Sequence, residues 1–162
     1  MIPELGHFAL IIALSLTVMQ STVPLIGAAL NRAELMAVAI PAARAQFMFT
    51  LLAFLCLAYA FIAKDFSVQY VAINSNAELP VHYRISAVWG SHEGSLLLWS
   101  LILSGWTLAV TFFSATLPVE FRARVLSVLG ILSLGFLLFI LITSNPFERL
   151  LPAVPNGRDL NP

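Results

Sequence analysis

Residues 94 to 119, "GSLLLWSLILSGWTLAVTFFSATLPV", contain no Asp, Glu, Lys or Arg. A run of this length is enough for a helix to cross the roughly 30 Å of bilayer hydrocarbon, and a backbone placed there must satisfy its own hydrogen bonds. It reads as a membrane-spanning helix. Its entrance is less expected, because residues 83 to 93, "YRISAVWGSHE", crowd an arginine, a histidine, a glutamate and a tryptophan against the start of the run.

Three further charge-free runs repeat the signal, so the spans fall at about 5–31, 45–63, 94–119 and 125–147. The fold class is all-α, a polytopic membrane protein of four transmembrane helices. A mean hydropathy of +0.94 over 162 residues agrees with that reading. Residues 1–147 form the membrane module, 64–93 an external loop between the second and third spans, and 148–162 a proline-rich external tail. Met1 to Glu4 carries no basic side chain, and the run that follows is too long for a cleaved leader, so it is a first span.

Eight basic and eight acidic residues cancel, with no basic cluster to attract nucleic acid. Arg32, Arg44, Arg122 and Arg124 are concentrated in the two shorter loops, whereas Lys64, Arg84, Arg149 and Arg158 are diluted over the longer ones. Density therefore places the short loops in the cytoplasm and both termini outside. In the external loop, Phe66, Val68, Tyr70 and Ala72 alternate with Ser67 and Gln69, which predicts a half-buried extended strand.

If the third helix starts near Trp89, then Glu93, Ser100, Ser104, Thr107, Thr111 and Ser114 share one face, suited to close helix packing. Glu93 needs a partner or a role at the membrane boundary, with Arg84 and the imidazoles nearest in sequence. About 100° round the helix, His92, Trp99 and Trp106 recur every seven residues, and Trp89 lies one turn before His92. An interfacial belt accounts for Trp89 and Trp99, but Trp106 lies near the bilayer midplane, where it packs on lipid, on another helix or on a flat cofactor.

In the first span, Pro24 removes a hydrogen bond to the carbonyl of Gln20 and predicts a kink lined by Gln20, Ser21 and Thr22. "HEGSL" starts like a zinc-protease motif, but Leu96 stands where the second histidine belongs. His7, His82 and His92 all lie toward the outside, so a metal or haem site between them is conceivable, although no two share a helix at ligand spacing. Cys56 is a buried small hydrophobe without a pairing partner. No catalytic or metal-binding residue emerges from these patterns.

The stretch "DFSVQYVAINSNAELPVHYRISAVWGSHEGSLLLW", with the tail "NPFERLLPAVPNGRDLNP", resembles the amino-terminal part of the CcmF/NrfE family of cytochrome c-type biogenesis proteins. Trp89, Gly90, His92, Glu93, Gly94, Ser95 and Trp99 match the family's W-G-x-H-E-G-S-x-x-x-W signature, and the likeness runs from "MIPELGHFAL" onward. The resemblance implies a haem lyase subunit in the bacterial inner membrane, holding haem b and receiving haem from CcmE. With CcmH and CcmI, such a subunit joins haem to apocytochrome c on the periplasmic side. The family's W-W-D segment and haem-ligating histidines lie beyond this chain. The chain is therefore expected to be a fragment, truncation or split subunit that depends on the remainder of CcmF, without lyase activity alone. Trp89, His92, Glu93, Trp99 and Trp106 are carried over only as support for the haem region, with Arg84, Gly90, Gly94, Ser95 and Pro24 as motif or structural residues. Two rivals remain open: a fragment of a polytopic transporter, suggested by Pro24 and Glu93, and a small cytochrome b-type respiratory subunit, suggested by the three histidines.

Overall fold

The computed structural model describes residues 1–158; the last four residues of the expected tail lie outside the described ones. Seven helices follow in order: α1 (Ile2–Ala29), α2 (Ala33–Ala37), α3 (Ala39–Ile62), α4 (Gln69–Asn74), α5 (Val81–Ala87), α6 (His92–Phe113) and α7 (Val119–Thr143). Four of them, α1, α3, α6 and α7, are long and apolar enough to cross a membrane. They form a ring in which α1 packs on α3 and α7, and α6 closes the other side against the same two helices.

The helices extend past the charge-free runs because arginines near a membrane boundary do not end them. Arg44 lies inside α3, where its Nε donates to Oγ1 of Thr111 at 3.3 Å and its guanidinium sits 4.6 Å from the Phe112 ring centroid. Arg124 lies in the second turn of α7 and pairs with Glu120, four residues earlier, at 2.6 Å. A long side chain can keep its charge at the boundary while its stem lies along the helix. Conversely, α6 stops at Phe113 rather than near 119, because a turn leads into Pro118, which opens α7.

Two spans end in left-handed residues, Asn31 after α1 and Lys64 after α3. Each is followed by a backbone bond reaching back to the helix, from Arg32 N to Gly27 O at 2.9 Å and from Asp65 N to Ala60 O at 3.0 Å. This arrangement satisfies carbonyls that a helix end otherwise leaves unpaired. Gln20 and Ser21 face the bundle, and Gln20 Nε2 donates to the carbonyl of Leu126 on α7 at 2.8 Å. Gly130 allows that approach, since a Cβ there would lie 3.1 Å from Ser21 N. Thr22 faces outward and donates to Val18 O at 2.7 Å, so it is not part of a lining with Gln20 and Ser21. Pro24 is buried within α1, which continues as helix to Ala29.

The hydroxyl stripe of α6 lies where its spacing puts it: Ser100, Ser104, Thr107, Thr111 and Ser114 are all buried. Ser104, Thr107 and Thr111 donate to carbonyls of their own helix, so their main contribution between helices is small volume. The expected strand is replaced. Val68 alone forms an extended bridge, to Arg149, and Gln69–Asn74 is helical. Tyr70, Val71 and Ala72 are all buried against the end of the bundle, a consecutive burial that an alternating strand cannot provide.

Candidate functional site

The end of the bundle that holds Met1 also gathers the 63–91 connection, the start of α6 and the segment after α7. Arg149 links three of these parts by bonding to Glu4 of α1 and to Asp65 and Ser67 of the connection. Backbone bonds then lay the tail along the connection: Gln69 N donates to Glu148 O, Leu150 N to Ser67 O, and Arg158 N to Ala72 O. The result is a cap over one end of four membrane helices.

The quoted entrance motif is the hinge of this cap. Helix α6 starts at His92 rather than near Trp89, because Ser91 is extended and Trp89–Ser91 form the turn that leaves α5. That turn folds back on the first turn of α6, and Ser95 Oγ donates to the carbonyl of Trp89 at 2.6 Å. Gly94 makes the contact possible, since a Cβ at this position would lie 1.7 Å from Val88 O and 2.6 Å from the Tyr70 hydroxyl. Gly90 is under no such constraint: its nearest contact would be 3.4 Å away.

Tyr70 lies beneath the turn and donates to Val88 O at 3.1 Å and Ser91 O at 3.5 Å. Burial pushes its phenol up to about 12 against the opposing backbone hydrogen bonds, and the Glu93 charge adds to the rise. Glu93 is half-buried and borders a polar cavity of ≈ 110 Å³ with Gln69, Tyr70, Asn74, Ser144 and Glu148. Arg84 does not meet it. The arginine is buried and donates to Ile62 O and Leu79 O, both at 2.8 Å, so it caps the end of α3 instead of neutralising Glu93. An orphan carbonyl at a helix end is a natural partner for a guanidinium, which explains the choice.

Two of the three histidines meet consecutive residues just past α7, and the third stands on α5. His92 Nδ1 hydrogen-bonds Ser144 Oγ at 2.7 Å and its ring stands edge-on to Phe139, with centroids 5.9 Å apart. His7 Nδ1 lies 3.4 Å from Oδ1 of the adjacent Asn145. His82 is exposed on α5 beside Tyr83. Among the described residues no group of three His, Cys, Asp or Glu side chains could hold a metal. Cys56 is a free, buried cysteine.

His92 borders an apolar groove with Leu96, Leu132, Gly135, Phe136 and Phe139, in which it is the only side chain of a type that ligates haem iron. The described residues therefore do not make a complete site for a haem with two protein ligands. Trp99 and Trp106 project outward from α6, 61% and 69% exposed, and Trp89 stands at the rim. Ser144, Asn145, Tyr70 and Arg149 carry much of the cap and are not visible from sequence spacing. The Ser-Asn-Pro order after α7 is a recognisable stop, but its pairing with His7 and His92 depends on tertiary structure.

A family profile described as "Cytochrome C assembly protein" matches residues 89–162, starting at Trp89. Across its whole length the chain is 61% identical to "Cytochrome c-type biogenesis protein CcmF" of Pseudomonas aeruginosa and 53% identical to the protein of that name from Escherichia coli. It spans 25% of the length of each. A solved structure titled "Cytochrome c Heme Lyase CcmF" superposes with a TM-score of 0.87 at 27% identity, covering 94% of this chain and 26% of that one.

Proposed function

The chain is related along its whole length to the amino-terminal quarter of the CcmF family of cytochrome c-type biogenesis proteins, and from that premise we propose that it is the amino-terminal membrane module of a haem lyase. Its task is structural support for haem delivery and attachment, with the reacting groups supplied by the rest of the protein. The observation that carries this reading is the 61% identity over the whole of this chain. The geometry is consistent with it: Gly94, Ser95 and Tyr70 fix the entrance turn, while His92 and the Trp99–Trp106 stripe face outward for further elements. Haem, when bound by the complete protein, supplies the vinyl groups that become thioethers. Within this chain His92 hydrogen-bonds Ser144, and Glu93 borders the polar cavity beside it.

The proposed setting is the bacterial inner membrane, with the capped end on the periplasmic side. Arg32, Arg44, Arg122 and Arg124 lie toward the opposite end in short segments, as the positive-inside rule asks of the cytoplasmic side. The partners in this reading are the remaining three quarters of CcmF, then CcmE, CcmH, CcmI and apocytochrome c.

Complementation tests the proposal. Cells lacking their own CcmF are supplied with this chain and, separately, with the remaining part of a relative, and covalent haem in cytochrome c is measured by haem staining. Holocytochrome c is expected, with a lower yield for His92→Ala and Glu93→Gln. Both pieces reaching the membrane without any holocytochrome c would overturn the reading.

A further inference from the structure

At the end opposite the cap, α6 and α7 diverge before the turn that joins them and leave a groove of ≈ 360 Å³. Trp106, Val110 and Phe113 form one wall, Leu117, Phe121 and Val125 the other, and Arg122 stands at the mouth. The groove opens on the outer surface of the bundle, where Trp106, Phe113 and Phe121 are exposed. Trp106 to Phe113 spans about 10 Å of helical rise, a large part of one leaflet. Among the described residues the Arg122 side chain makes no ion pair and no hydrogen bond, whereas its neighbours are occupied: Arg124 by Glu120 and Arg44 by Thr111 and Phe112. A cation left free in the first turn of a membrane helix, directly above an apolar slot, matches a ligand with an anionic head and an acyl tail.

We infer that the α6–α7 groove is a binding site for an anionic phospholipid, with one acyl chain lying along Trp106, Val110 and Val125 and the headgroup phosphate at Arg122. Charge complementarity distinguishes this occupant from a zwitterionic lipid, and basic pockets between membrane helices are where such headgroups settle. The site shares only Trp106 with the outward stripe of the haem reading and turns on Arg122 at the far end from the cap, so each can fail without the other.

The test uses the natural protein, purified whole in mild detergent, stripped of lipid and titrated with phosphatidylglycerol or phosphatidylcholine under native mass spectrometry. Phosphatidylglycerol is expected to be retained at one site about fivefold more tightly, the ratio given by about 1 kcal/mol for a single basic residue near the headgroups. Arg122→Gln should remove that preference, Val125→Trp should fill the slot and reduce retention of either lipid, and Arg124→Gln should leave the preference intact. Equal retention of the two lipids, a preference that survives Arg122→Gln, or no retained lipid because protein covers the groove would each overturn the assignment.

Discussion

Within one motif, two glycines have opposite sensitivities. At Gly94 a methyl group would lie 1.7 Å from a backbone carbonyl, which cannot withdraw as a flexible side chain can. Forcing apart a packed turn of this kind typically costs about 1–3 kcal/mol. Gly94→Ala is therefore expected to lower the thermal unfolding midpoint of the purified protein clearly. Gly90→Ala, with 3.4 Å available, should stay within about 0.5 kcal/mol of the parent. Equal midpoints for the two variants would show that the entrance turn does not depend on the close approach at Gly94. The family resemblance marks both glycines as motif members but cannot rank them, because the difference comes from Val88 and Tyr70, which the chain brings over Gly94 only when folded. Glu93 and Arg84 make the same point. They are near in sequence and opposite in charge, yet the arginine satisfies the carbonyls of Ile62 and Leu79.

Among the elements, the four spans were legible because hydrocarbon imposes a length and a composition that short-range patterns cannot imitate. Their ends were less so. Arg44, Arg122 and Arg124 lie inside helices because a long side chain carries its charge to the boundary, so a charge-free run measures the apolar core rather than the helix. Residues 66–72 alternate as a strand would, but a few alternating residues cannot outweigh docking against the end of a bundle, and Gln69–Asn74 is helical. Helix α5 is fixed there by Arg84, and Arg84→Met would leave the carbonyl at the end of α3 and that of Leu79 before α5 without their charged donor, a loss of about 1.5–3 kcal/mol for each bond of this type. Faster hydrogen exchange across residues 79–91, with the four spans still protected, is the expected result. Unchanged exchange there would mean that α5 is held by packing alone.

For the whole molecule, the cap is the feature that sequence reading did not anticipate, because its links join residues far apart in the chain. Arg149 meets Glu4 and Asp65, and the tail runs along the connection between α3 and α6. Removing the guanidinium by Arg149→Gln should leave the membrane bundle intact but expose the 148–158 segment to added protease, by an amount that falls as salt is raised in the parent protein. If parent and variant are cleaved at the same rate, the tail is held by its backbone bonds without help from Arg149.

The bond from Gln20 to Leu126 also has a consequence in time. During synthesis α1 emerges first, and its amide must wait 106 residues for the α7 carbonyl that it finally meets. At roughly 5–20 residues per second, that interval is about 5–20 s. Throughout it, α1 carries a side chain whose acceptor on α7 has not yet been made. The bond therefore closes late, and α1 is complete as a helix well before it is joined through Gln20 to α7.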